Sequence, residues 1–291
     1  MQMDGRSGKH PAILLIGYGE VGQAFATQLA GSEAHLTVAD PARAGTTVGG
    51  ITIAAAPPPS MEDFDIVLAA VPSSASVAVA ALAAQSPGSF VHADLSSSSR
   101  GLMREAAALF EGRPSRFADC AIMGAVSLQG ARTPVIAAGT GATGAAAIMN
   151  GLGFRMTALP HSEAGDASAL KLLRSVLTKG LEAITAECFV AARSMGLSSA
   201  LRDQLQDIGE TPFTDFLDML VRTHVVHAPR RSHEVEAALG QLEEQQVPST
   251  VTRSVLEAFR TTARRLEDAP AFRDRMPTAD EALAWLAEDK R

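Results

Sequence analysis

The sequence predicts an α/β domain with a mostly parallel sheet, followed by an all-helical domain. Three observations predict it. Over the first 160 residues, short apolar runs alternate with helical segments, the pattern of strands joined to parallel neighbours by crossover helices. The run Ala12-Ile-Leu-Leu-Ile leads straight into Gly17-Tyr18-Gly19-Glu20-Val21-Gly22 and then into helical sequence. After Pro160 no strand pattern recurs and every segment reads as helix. The expected domains are residues 1–162 and 163–291.

The elements follow in order. Strands are expected near 12–17, 35–39, 51–55, 65–71, 89–94, 116–122, 134–138 and 154–159, with helices near 20–30, 73–85, 99–111 and 141–151. Strand, glycine turn and helix in that order make Gly17-x-Gly19-x-x-Gly22 a Rossmann-type dinucleotide loop. Gly17 allows the tight turn, Gly19 lets backbone approach a pyrophosphate, and Gly22 lets the helix pack closely on the strand. Tyr18, Glu20 and Val21 complete the cofactor loop. The second apolar run ends at Asp40, whose carboxylate suits the ribose hydroxyls of NAD and repels the extra phosphate of NADP. Arg43 softens that preference.

Ligands of open α/β sheets sit beyond the carboxyl ends of the strands, so the residues after each run are candidates. Val71-Pro72-Ser73 follows the fourth run, with the serines at 73 and 74 expected to cap the next helix. Asp94-Leu95-Ser96-Ser97-Ser98-Ser99 follows the fifth. A helix cap explains one or two of those hydroxyls but not four, which points to Ser96 and Ser97 at the nicotinamide or the substrate. In Asp119-Cys120-Ala121-Ile122-Met123-Gly124-Ala125, Gly124 allows a small anion to approach backbone N–H groups.

The segment Asp166 to Arg193 is the strongest helix, with Ser162 or Asp166 as its cap. It is apolar over most of its circumference, so burial is expected. Lys171, Arg174, Ser175, Thr178, Glu182 and Thr185 form one polar stripe, facing either water or a polar cavity. Lys171 is the natural acid/base for alcohol oxidation, and Arg174 or Ser175 suits an anionic substrate group. Lys179 and Glu187 lie off the stripe, towards solvent. Farther on, shorter helices are expected, broken by Gly209, Pro229, Pro248, Pro270 and Pro277.

With these residues assembled, the chain resembles the β-hydroxyacid dehydrogenases, which include 3-hydroxyisobutyrate and 6-phosphogluconate dehydrogenases. The dinucleotide loop, Val71-Pro72, Asp94-Leu-Ser96-Ser97 and Gly165-Asp-Ala-Ser-Ala-Leu-Lys171 are similar to that family's motifs. The resemblance implies an NAD-dependent oxidoreductase for a small hydroxy acid or its keto or semialdehyde form. In it Lys171 is catalytic, Ser96 and Ser97 border substrate and nicotinamide, and hydride passes in an interdomain cleft. Two positions depart from the pattern. Met123 replaces the serine of the family's substrate loop, and Ser175, preceded by Arg174, replaces an asparagine. Lys-Leu-Leu-Arg-Ser, with Arg230-Arg231-Ser-His-Glu234-Val-Glu236, is more like a bacterial branch with a distinctive C-terminal helical domain. Imine reduction runs on a similar two-domain plan, though those relatives place other residue types where Lys171 stands. A non-catalytic NAD-binding protein is the remaining alternative.

Composition narrows the partners. The net charge of −7, with one Trp and one Tyr, argues against a nucleic-acid surface. Two cysteines form no disulfide framework, and the polar start of the chain is not signal-like, so a cytoplasmic protein is expected. No apolar run suits a membrane span. His224, His227 and His233 lack acidic or cysteine partners in ligand spacing, so no metal is expected. Arg230 and Arg231 close over an anion or cap a helix end. The apolar excess of the 166–193 helix predicts a homodimer.

Overall fold

The computed structural model describes residues 10–272 and 274–288, so the polar start of the chain before His10 lies outside the described residues. Two compact units are present, Met1–Val176 and Leu177–Arg291. The sequence turns all-helical at residue 163, whereas the units divide inside the long helix that follows.

The first unit carries a seven-stranded sheet built from β1 (Ala12–Ile16), β2 (His35–Ala39), β5 (Ile66–Ala69), β6 (Val91–Asp94), β7 (Arg116–Ile122), β8 (Val135–Ala138) and β9 (Met156–Ala158). Its order is β2-β1-β5-β6-β7-β8-β9. All neighbours are parallel except β7 and β8, which run antiparallel. Successive side chains of β1 enter opposite layers: Ile13 and Leu15 pack with Phe25 and Leu29, while Leu14 and Ile16 pack with Val67 and Met103. A strand covered on both faces reads as an unbroken apolar run, which is why the pattern at 12–16 does not alternate. The order reverses between β1 and β5, so the loops leaving those two strands border one crevice.

Helices α1 (Glu20–Ala30), α2 (Ser73–Gln85), α3 (Arg100–Ala108) and α5 (Ala142–Gly151) cover the faces, and the short α4 (Val126–Gln129) follows β7. Two expectations are corrected here. The run at 51–55 adds no strand to the main sheet. Its Ile51–Thr52 (β4) pairs antiparallel with Thr47–Val48 (β3), because Gly49 and Gly50, both at positive φ, reverse the chain between them. Ser73 and Ser74 do not cap α2 with a side-chain hydrogen bond: Pro72 is its N-cap residue.

The long helix α6 (Asp166–Ser194) matches expectation in extent but not in burial. Leu172, Leu173, Val176, Leu177, Leu181 and Val190 are exposed, Leu173 at 66% and Val176 at 74%. Periodicity reports that a face is apolar and is silent on what covers it.

The second unit contains α7 (Ser198–Gln204), α8 (Gln206–Glu210), α9 (Phe213–Glu244), α10 (Thr250–Asp268) and α11 (Ala279–Ala287). Pro229 does not break a helix, since α9 runs through it for 32 residues. Proline removes one backbone donor, the one that would serve the Val225 carbonyl, and crowds the preceding turn, yet the helix continues on both sides of it. Gly209 lies inside α8, whereas Pro248, Pro270 and Pro277 fall between helices. Glu187 is not a solvent-facing residue: it accepts from Val251 N, Thr252 N and the Thr252 hydroxyl, and so caps α10. No helix among the described residues is long and apolar enough to cross a membrane.

His92 in β6 escaped notice in the sequence. It is fully buried between the rings of Phe110 and Phe117, and neither ring nitrogen has a protein partner. Burial lowers its pKa to about 4 against the pull of Asp94. Unfolded, it titrates near 6.5, so the unfolded chain binds more protons between those values and stability falls as pH drops through that window. The loss amounts to roughly 3 kcal/mol at most. Denaturant titrations across this range should show a shallower pH slope for His92→Leu, and an unchanged slope would refute the assignment.

Candidate active site

The crevice at the strand reversal begins with the glycine loop. Gly17 sits at φ +98°, and a Cβ there would lie 2.3 Å from the Ala70 carbonyl oxygen. At Gly22 a Cβ would lie 2.1 Å from the Gly17 carbonyl oxygen. Both glycines are therefore dictated by the chain itself. Gly19 differs, because a Cβ there meets nothing within 4 Å. It is the N-cap residue of α1, and no side chain hydrogen-bonds the amides of that first turn. The uncapped helix start and the open space at Gly19 fit a pyrophosphate.

Asp40 closes the other side of this loop. One carboxylate oxygen accepts from Tyr18 N at 2.7 Å and the other from Ala42 N at 2.8 Å. Each oxygen retains a second lone pair, so the carboxylate can still accept from ribose hydroxyls. Val71 packs beside Gly17, and Pro72 and the exposed Ser73 stand where β5 passes into α2.

The four serines after β6 have separate tasks. Ser96 and Ser98 are buried and bond to each other at 2.8 Å. Ser99 caps α3 by accepting from Leu102 N. Ser97 alone of the four accepts from the Lys171 amine, at 2.6 Å. Lys171 and Ser97 border a cavity of 320 Å³, together with Glu20, Val21, Gly124 and Ser127. The structure thus brings Lys171, Ser97, Gly124 and the start of α1 together, while the Ser96 hydroxyl turns inward. Met123 packs against Ala121, Ala138 and Ala167 rather than lining the cavity. Ser127, three residues after Gly124, was missed, and Ala125 was quoted with the loop but not taken as a site residue.

Burial lowers the pKa of Lys171, and the charge of Asp119 opposes it. Ser175 donates back to the Lys171 carbonyl, and Arg174 is exposed one turn beyond Lys171; neither lines the cavity. Glu182 pairs with Lys179 at 2.6 Å, so Lys179 is engaged within the helix surface. Neither Ser162 nor Asp166 caps α6: the Ser162 hydroxyl donates to Leu159 O, and Asp166 accepts from Glu163 N and Arg100. The amides of Gly165 and Ser168 go to Asp119 in β7 instead.

Three of the polar residues singled out in the second unit, His224, Arg230 and Arg231, are engaged locally. The His224 ring bonds to Thr262 and packs on Phe259. Arg230 pairs with Glu234, and Arg231 donates to Thr223. Both arginines lie inside α9 rather than at a helix end.

Comparison with known proteins agrees with this architecture. Residues 192–262 match the family described as a domain of unknown function, DUF1932. An uncharacterized 28.5 kDa protein from Methanothermus fervidus is 32% identical over 120 residues, covering 41% of this chain and 46% of that protein. The match therefore spans less than half the length of that curated relative. A conserved hypothetical protein from Sinorhizobium meliloti 1021 is similar at 26% identity over 97% of each chain, with a TM-score of 0.57. A second solved protein, of unknown function but with reported structural similarity to 3-hydroxyacid dehydrogenases, is 27% identical over 86% of this chain and 98% of its own, also at 0.57. An imine reductase from Aspergillus terreus, in complex with NADPH4 and dibenz[c,e]azepine, shares the fold at 19% identity, with 95% and 99% coverage and a TM-score of 0.71.

Two substitutions separate the glycine roles. Gly17→Ala should cost at least about 2 kcal/mol in a denaturant titration, through strain and overlap. Gly19→Ala should stay within about 1 kcal/mol of wild type yet weaken dinucleotide binding by about tenfold or more in calorimetry. Equal effects on stability would refute the distinction.

Residues 192–262 thus match DUF1932 after a Rossmann-type α/β unit, and the chain shares its fold with a protein of reported similarity to 3-hydroxyacid dehydrogenases and with imine reductases.

Proposed function

We propose that this protein is an NAD-dependent oxidoreductase acting on the CH–OH group of a small hydroxy acid, or on its keto or semialdehyde form in reverse, with Lys171 as general acid/base. The observation that carries this reading is the Lys171 amine, bonded to Ser97 in a cavity that also touches the start of α1. The cofactor, when bound, supplies the hydride acceptor or donor. Gly17 to Gly22 would hold its pyrophosphate, Asp40 its ribose, and Val71, Pro72, Ser73 and Ser97 its nicotinamide end.

Lys171 holds or removes the substrate hydroxyl proton, and Ser97 keeps the amine oriented. Depression of its pKa by burial makes the neutral amine available closer to neutral pH than for a free lysine. Gly124 backbone and Ser127, which border the cavity, would meet a small anionic substrate, and Arg174, three residues after Lys171, would add positive charge on the same helix. Asp40 supports NAD over NADP because a 2′-phosphate would meet its carboxylate. Arg43, on the turn that Asp40 caps, is the residue that would admit NADP. Among the structural neighbours, an imine reductase from Myxococcus stipitatus was solved with NAD+ and Aspergillus terreus enzymes with NADPH.

The exposed apolar residues of α6 support a homodimer. Light scattering after size exclusion should give twice the 30.3 kDa chain mass, and a monomer would count against it. A cytoplasmic location belongs to the same reading, since a chain with two cysteines offers no disulfide framework.

Lys171→Met should keep dinucleotide affinity and lower kcat about 100-fold or more. Wild-type oxidation should rise with pH as the amine loses its proton, and the reverse reduction should fall over the same range. Full turnover in the variant would exclude the mechanism. Imine reduction is the second reading, favoured by the fold neighbours with that activity. Assaying dibenz[c,e]azepine beside a hydroxy-acid panel separates the two.

A further inference from the structure

We propose that Asp119 is a positioning residue for Lys171: its buried carboxylate holds the first turn of α6 and turns its negative charge towards the amine. The proposal rests on Lys171 as the acid/base. Asp119 is fully buried in β7. One carboxylate oxygen accepts from Gly165 N at 2.9 Å and Ser168 N at 3.0 Å, and the other accepts from the Ser168 hydroxyl at 2.6 Å. Ser168 is the third residue of α6, so Asp119 satisfies the amides that a local N-cap residue would otherwise serve. Lys171 lies three residues on, along the same helix face.

Gly165 lets this helix start lie close against α3. It sits at φ +96°, and a Cβ there would lie 2.6 Å from the Arg100 carbonyl oxygen. Arg100 in turn pairs with Asp166 at 2.7 Å, tying α3 to the same helix start. The charged and titratable groups around Asp119 are Lys171 from α6, Asp94 from β6 and the adjacent Cys120. Burial raises the Asp119 carboxyl, while the hydrogen bonds from Ser168 and Gly165 lower it. Lys171 is the cation among these groups, and the Asp119 charge opposes the lowering of its pKa by burial.

Asp119→Asn isolates the charge. The amide oxygen can still accept from Gly165 and Ser168, and the NH2 can donate to the Ser168 hydroxyl, so folding is expected to persist. Lys171 is read without turnover, by acetylation with acetic anhydride across pH and quantification of its peptide, with Lys179 as internal reference. The Lys171 labelling curve should shift to lower pH in Asp119→Asn, with Lys179 unmoved. Ser168→Ala, which removes one hydrogen bond and keeps the charge, should leave the Lys171 curve in place. Asp119→Ser provides a second neutral variant. An unshifted curve in either folded neutral variant overturns the proposal, and so does failure of both to fold, which would make the carboxylate a folding element alone. A shifted curve in a protein that turns over no hydroxy acid would sustain the placement and refute only the dehydrogenase reading.

Discussion

Two buried carboxylates side by side are the constraint on which the candidate site depends. Asp94 and Asp119 are register partners on β6 and β7, and both are fully buried. Burying a carboxylate is costly unless donors surround it, so each must recruit N–H and O–H groups from the segments nearby. Asp94 takes the Ser96 amide and the Ser76 hydroxyl, which folds the serine loop back over the end of β6. Asp119 takes the opening turn of α6. The two recruited segments carry Ser97 and Lys171. The short contact between those side chains follows from hydrogen-bond demands one layer below.

The glycine loop shows a different economy. Gly17 and Gly22 are forced by close backbone approach, and they would be needed in this fold with no ligand at all. Gly19 is not forced by any neighbour, so its lack of a side chain leaves room at an uncapped helix start. That distinction separates a residue required by folding from one that fits a ligand. It is invisible in the motif, where the three glycines look equivalent.

Much of the α/β unit was legible because its strands are buried on both faces and its helices start and stop at strong signals. The boundaries of α1, α2 and α5 came directly from Gly, Pro and apolar periodicity. The run at 51–55 misled because a β-branched apolar stretch does not say which sheet accepts it, and two positive-φ glycines decided otherwise. Pro229 misled because a helix packed on its neighbours tolerates one lost hydrogen bond. Within the site, Lys171, Ser97 and Gly124 were legible from their place after strands or on the helix. Ser96, Met123 and the capping role of Asp119 were not, since sequence order cannot tell which of several adjacent hydroxyls turns inward, or that a helix is capped from 46 residues away.

The surface of α6 completes the physical picture. Residues 172–181 present several large apolar side chains to solvent, and water pays nothing back for that exposure. A helix with Leu173 and Val176 uncovered is stable only where packing elsewhere fixes it. At its first turn that fixing comes from Asp119, and farther along it comes from the contacts of Ala191 with Leu242 and Val247, and from Glu187 capping α10. Lys171 sits on the anchored end. Its amine is therefore held by a helix whose start is pinned to the sheet, while the apolar stretch after it is exposed.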